Sequence, residues 1–378
     1  MTLTTTIVIL SCEFLFTYKG VNMENKRYFN VSDIPETTIL TERIMVPYNE
    51  MNYCLNGLVM DRVTLLMAPT DSGQTCFSSS FIVSAIKQGY KTFLFAGEDG
   101  EDEARDRIYR QFLEFDKENF VYKAYQQNGK DTNTGDFLLK HEKFVEVHNF
   151  FKDKLYIYNN EFPANKSELL STLNTAYEKE GCRFFVIDNC EMFDLEMGDN
   201  ENKAVKDICI ALRRFATTRK VHILLISHIK KVDRTVIRLS AFDNKGTSAI
   251  TNVCKNIITL IRTDCINTHT KEYREFERDV DNAGYILDDC DAIAEIIKTK
   301  GRKRAIIGLG FNRISNSYYE IKKRKEIDPK EKTIQEIIEK SKSNVYSKPK
   351  QAFLGDEFEE KAITLKELDP NDELGLPF

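Results

Sequence analysis

The sequence has no CxxC pair and no Cys/His run at metal-ligand spacing, although it holds nine cysteines. That argues against a zinc module or a disulfide framework, and leaves the cysteines as small buried hydrophobes of a reducing, cytoplasmic compartment. Net positive charge is missing as well: the formal balance is -5. Any nucleic-acid contact must therefore come from a local loop or channel rather than from the whole surface. Apolar runs long enough to cross a membrane, about 20 residues, are absent. The longest candidate, Ile7 to Phe16, lacks a preceding positive charge, and Lys19-Gly20 is no small-residue cleavage site. A second methionine, Met23, opens an ordinary polar start, so residues 1–22 are expected to be an upstream extension without a role. Internal repeats are missing too.

What is present is an alternation. Apolar runs at Val63–Ala68, Lys91–Ala96, Leu155–Tyr158, Phe184–Ile187, His222–Ile226, Ile257–Ile261, Ala294–Lys298 and Ala305–Gly310 read as strands. Helical patterns over about Ser72–Gln88, Glu101–Phe115, Lys166–Lys179 and Lys203–Arg219 separate the earlier of them. All-apolar strands that alternate with helices predict a mostly parallel sheet covered on both faces, a doubly wound α/β domain over about residues 50–321. Residues 116–154 and 263–292 read as polar, charge-rich insertions. Beyond Lys322 the composition turns to a Lys/Glu helix, then a Ser/Lys/Pro linker. From Asp356 to the end come eight carboxylates against two lysines, with Phe378 last.

The chemistry gathers at strand ends. Thr64–Met67 runs into Ala68-Pro69-Thr70-Asp71-Ser72-Gly73-Gln74-Thr75, the strand-turn-helix setting of a phosphate-binding loop. Such a loop cradles phosphates with backbone N–H groups, reaches the terminal ones with a lysine, and holds Mg²⁺ with a Ser/Thr hydroxyl. Gly73 and Thr75 meet the pattern; Ala68 replaces its first glycine and Gln74 its lysine. Three further strands end in polar groups: Phe93–Gly97 in Glu98, Phe184–Ile187 in Asp188, and Ile223–Ile226 in Ser227-His228. A glutamate so placed can take a proton from an attacking water, and an aspartate can hold a Mg²⁺-bound water. Sites of parallel sheets lie at the carboxyl ends of their strands, where all of these groups fall.

With these segments in order, the chain resembles the RecA-type, P-loop NTPase motor domain of DnaB-family replicative DNA helicases, of the phage and Twinkle kind. FLFAGED looks like the segment with the catalytic glutamate, and Arg107 follows at a matching distance. FFVIDNCEMF is similar to the Walker B strand, and LLISHIKK to a motif in which histidine follows serine. Lys245-Gly246-Thr247-Ser248 with IITLIR resembles the DNA-facing motif, and Lys298 to Arg302 the segment that supplies a trans-acting cation. The resemblance implies an ATP- and Mg²⁺-dependent helicase forming a homo-hexameric ring and moving 5′ to 3′ on single-stranded DNA. Glu98, Asp188, His228, Lys300 and Arg302 would be catalytic. Ala68, Ser72, Gly73, Gln74 and Thr75 would bind nucleotide, with Thr75 and Asp188 at the metal. Lys230, Lys231, Arg234, Lys245 and Gly246 would touch DNA phosphates, a salt-sensitive, sequence-independent contact.

Residues 23–54 are expected to form an arm docking on a neighbouring protomer, 55–321 the motor, 322–350 a charged helix and linker. The acidic tail, 351–378, resembles terminal-Phe tails that dock on a primase or polymerase. Two departures bear on catalysis. Gln74 cannot neutralise phosphate charge, and Lys300 lacks the planar fork of an arginine finger, a part open to Arg302 or Arg304. A nucleotide-impaired ring subunit and a RecA-type recombinase are the alternatives.

Overall fold

The computed structural model describes residues 42–114, 116–127, 130–162, 165–189, 201–229, 238–240, 248–266, 268–299 and 304–324. Strand β1 (Arg43–Ile44), helix α1 (Asn49–Leu55) and β2 (Leu58–Val59) come first, then β3 (Arg62–Ala68), α2 (Gln74–Lys87), β4 (Thr92–Ala96) and α3 (Glu101–Phe112). A hairpin of β5 (Phe120–Gln127) and β6 (Lys130–Leu139) leads to α4 (His141–Phe151), β7 (Leu155–Ile157) and α5 (Lys166–Glu178). The series β8 (Phe184–Asp188), α6 (Glu201–Arg219), β9 (His222–His228), α7 (Ser248–Val253) and β10 (Asn256–Arg262) follows. Then come α8 (Lys271–Asn282), β11 (Ala292–Lys298), β12 (Ala305–Asn312) and β13 (Ser317–Glu320).

Nine strands form one sheet in the order β13-β12-β11-β10-β3-β9-β8-β4-β7. From β10 to β7 every pair is parallel. Strands β8 and β9 are buried at every position, as a sheet covered on both faces requires. The last three strands, read from the sequence only as closing the series, run antiparallel. The short connections from β11 to β12 and from β12 to β13 leave no room for a crossover helix. The stretch 116–154, expected as a polar insertion, holds a hairpin and a helix. In 263–292, α8 buries Phe276 and Val280.

Two apolar cores flank the sheet because alternate residues of each strand point to opposite faces. Val63, Leu65 and Met67 of β3 face α5, α6 and α8 through Leu169, Leu173, Ile208, Leu212 and Val280. Leu66 and Ala68 face the other layer, where Phe77, Phe81, Ile108 and Phe151 lie on α2, α3 and α4. Residues 42–54, placed by the sequence in the amino-terminal arm, pack on this second layer of their own chain. Ile44, Val46, Tyr48 and Met51 are buried there. Tyr48 stacks on Phe77 at 4.9 Å between ring centroids, and its hydroxyl lies 2.9 Å from Ser80 Oγ. Truncating Phe77 or Phe81 to alanine would cost about 3–5 kcal/mol.

The register aligns the carboxyl ends of the central strands. Ala68 pairs with His228 across β3 and β9, and Ala96 with Asp188 across β4 and β8. The ends of four strands and the start of α2 therefore open onto one region.

Candidate functional site

Strand β3 hands the chain to α2 through a turn that only glycine can complete. Gly73 stands at φ +75°, in the left-handed region, and a Cβ there would run into the Tyr318 hydroxyl. That hydroxyl donates to the Ser72 carbonyl at 3.2 Å, pinning the loop against β13. No described side chain caps α2. Its first-turn N–H groups, which lack intrahelical acceptors, stay available at the mouth of the loop.

Side chains from four elements then join. Gln74, the first residue of α2, reaches across to His228 at the end of β9, with Nε2 2.9 Å from Nδ1. His228 Nε2 lies 3.1 Å from Glu98 Oε1, just past β4. Asn189, which follows β8, donates to the same Glu98 oxygen at 2.5 Å. Gln74 is buried, and its Oε1 has no partner among the described residues. Glu98 is the solvent-facing member, its side chain half exposed.

Asp188 is buried beside this chain, and burial pushes its carboxyl up to about 7. A hydrogen bond from the Thr75 hydroxyl and the charge of Arg107 pull it down; Asp99 and Glu98 push it further up. A carboxyl so poised ionises readily when a cation arrives, releasing a proton near neutral pH. Two arginines approach the loop. Arg107 of α3, almost fully buried, pairs with Asp99 at 2.6 Å and donates from Nε to Ser79 Oγ at 3.2 Å. Arg262 ends β10, forks onto Asp264 and reaches the Asp71 carbonyl at 3.4 Å.

The donor set suits a Mg²⁺-bound polyphosphate in most respects. Thr75 and Asp188 make a hard oxygen pair for the metal, the uncapped helix start offers N–H groups, and Glu98 is placed as a base. The lysine's charge is missing: a neutral amide holds that position and points at His228.

Of the residues singled out from sequence, Ala68, Ser72, Gly73, Gln74, Thr75, Glu98, Asp188 and His228 come together here. Lys230, Lys231, Arg234, Lys245, Gly246, Lys300 and Arg302 lie outside the described residues, as do 1–41 and the acidic tail. Sequence reasoning missed Asn189, Asp99 and Tyr318. Asn189 carried a signal, a second polar residue directly after the strand-end aspartate, and it is fully buried. Tyr318 carried none, because its contact spans 246 residues.

A family model described as AAA domain matches residues 32–234, more than half of the chain. No curated protein sequence matches. Among solved structures, a DnaB-like replicative helicase, studied with its interactions with primase, superposes with a TM-score of 0.58 at 14% identity. The match covers 75% of this chain and 64% of that one, so this chain spans less than two thirds of that relative. A second solved structure, an isolated ATPase domain, gives 0.54 at 14% identity, covering 74% of this chain and 91% of that one. A KaiC-like protein from Pyrococcus horikoshii gives 0.48 at 11%, with 75% and 100% covered. No described helix is long and apolar enough to cross a membrane. Its mostly parallel, RecA-like sheet has the fold of these helicase domains, and by the family model over more than half of its length the chain belongs to the AAA-domain family.

Proposed function

We propose that this chain is the motor of an ATP-driven replicative DNA helicase, a homo-hexameric ring that moves 5′ to 3′ on single-stranded DNA with nucleotide bound between protomers. The observation that carries the reading is the chain Gln74–His228–Glu98–Asn189 closing beside Thr75 and Asp188 at the carboxyl ends of the strands. In that reading Ala68 to Thr75 wraps the phosphates, and Thr75 and Asp188 hold Mg²⁺, which supplies charge neutralisation at the phosphates. Glu98 takes a proton from the attacking water, with Asn189 fixing its orientation. His228 links Glu98 to the loop, so occupancy of the loop is felt at the base.

The remaining parts extend the reading along the chain. Lys230, Lys231, Arg234, Lys245 and Gly246 hold single-strand phosphates inside the ring, and Lys300 or Arg302 reaches the neighbour's nucleotide. Residues 55–321 form the motor with 42–54 packed on it, the part of the arm from residue 23 to 41 docks on the next protomer, and 322–350 links to the tail. The tail, 351–378, engages a primase or polymerase through its carboxylates and Phe378. Deleting Asp369–Phe378 then weakens that association, more at low salt than at high, and leaves ATP turnover unchanged.

A second reading is a nucleotide-impaired ring subunit, favoured by the neutral Gln74, whose Oε1 finds no partner among the described residues. Steady-state ATP hydrolysis with and without single-stranded DNA separates the two. Turnover stimulated by DNA supports the helicase motor; a folded, DNA-binding chain without turnover supports the impaired subunit.

A further inference from the structure

The site lacks the lysine that would meet the terminal phosphates, yet a buried cation already stands beside it. Arg107 is 8% exposed, on the helix that follows Glu98. Nε donates to Ser79 Oγ at 3.2 Å, and Ser79 Oγ donates to the Thr75 carbonyl at 2.7 Å. The guanidinium is thereby tied to the first turn of α2, on the face that carries Thr75. One turn along α3, Gln111 Nε2 donates to the Cys76 carbonyl at 2.9 Å, fastening the same two helices where the phosphates would enter. Nη2 of Arg107 lies 2.6 Å from Asp99. These contacts use Nε and Nη2, and no described residue takes Nη1.

Resting on the nucleotide reading above, we infer that Arg107 supplies the positive charge to the nucleotide's terminal phosphates that Gln74 no longer can. Asp99 acts as its counter-ion while the loop is empty. A guanidinium suits this work because its planar fork binds oxyanions with fixed geometry and it stays charged at every accessible pH. Desolvation strengthens the attraction relative to an exposed lysine. Gln74 is then free to hold His228 in the chain that leads to Glu98. Arg262 is the competing cation, but its side chain is 42% exposed, forked onto Asp264, and reaches the loop only at the Asp71 carbonyl.

The test measures affinity rather than turnover, using the full chain and fluorescent AMP, ADP and ATP analogues with Mg²⁺. Arg107→Gln should weaken ATP and ADP about ten- to hundredfold, the loss of one charge-assisted contact, and leave AMP little changed. Arg107→Lys should keep part of the affinity, and adding Gln74→Lys to Arg107→Gln should restore most of it. Asp99→Asn should tighten ATP by about threefold or more, because it removes a competing carboxylate. That rise is a result a merely structural ion pair would not give. The inference is overturned if Arg107→Gln binds ATP like the parent, if AMP and ATP weaken equally without rescue by Gln74→Lys, or if Arg262→Gln takes the loss instead. A parent chain that binds no nucleotide overturns the nucleotide reading itself, and this inference with it.

Discussion

Strand β9 carries a histidine at each end, on the same face, and the two live under opposite rules. His222, at the amino end, is fully buried, with Nδ1 2.8 Å from the Val59 carbonyl and its ring 6.1 Å from that of Phe184. Its Nε2 has no partner among the described residues, and burial pulls the ring down to about 4. It ties β2 to the sheet and stays neutral. His228, six residues on, sits between Gln74 and Glu98 in a chain of polar groups that ends at solvent. One end of the sheet is closed with a single satisfied donor. The other gathers side chains from four elements into one hydrogen-bonded chain. Polar groups that cost stability are concentrated where parallel strands end.

The sharpest way to break this contrast is at the exposed end. Glu98→Gln should lower ATP turnover by about 10²- to 10³-fold, with nucleotide affinity and thermal stability little changed, as expected for loss of a general base. A large loss of stability instead would make Glu98 a structural residue like His222. Where Arg107 is also replaced by glutamine, Gln74→Lys should raise turnover by about tenfold, since one well-placed charge at a transition state is worth a few kcal/mol. In the parent the gain should be far smaller, because Arg107 already supplies that charge. If nucleotide already binds tightly and turnover does not move, another cation carries that role and the impaired-subunit reading fails.

At the closed end, the expected effect is on stability alone. His222 is held neutral in the fold, whereas the unfolded chain protonates it near 6.5. Its contribution is therefore present above pH 6.5 and lost as pH falls from 6.5 toward about 4, on the order of 2–3 kcal/mol. Denaturant melts of the parent and His222→Gln across that range check it: the variant should lose the acid-dependent slope while keeping turnover. The smallest effect belongs to His228→Asn, which should leave stability within about 1 kcal/mol and reduce turnover by a modest factor. Equal acid sensitivity of both variants would erase the distinction between the ends.

Much of this was legible in the sequence. Strands β3, β4, β8, β9 and β10 announce themselves as apolar runs, and Glu98, Asp188 and His228, placed at strand ends by pattern, lie together in the structure. The antiparallel turn of β11–β13 was not readable, because apolar runs carry no sign of direction. Nor was the β5–β6 hairpin, whose alternation of Tyr122, Tyr125 and polar residues looks like a charged insertion. Contacts were the hardest part. Gln74 and His228 lie 154 residues apart, and nothing local says that a glutamine in the lysine position turns toward a histidine. Arg107 was visible as a spacing, but its burial against Asp99 and Ser79 was not.

The central claim is that the carboxyl end of β9, and not the amino end, belongs to a nucleotide site. The chain has five histidines, so their ring Cε1–H resonances can be assigned by substitution and followed as Mg²⁺ and ADP are added. The His228 resonance should shift in a saturable way while that of His222 stays in place. Saturation with no movement of His228, or movement of His222 in its stead, would contradict it.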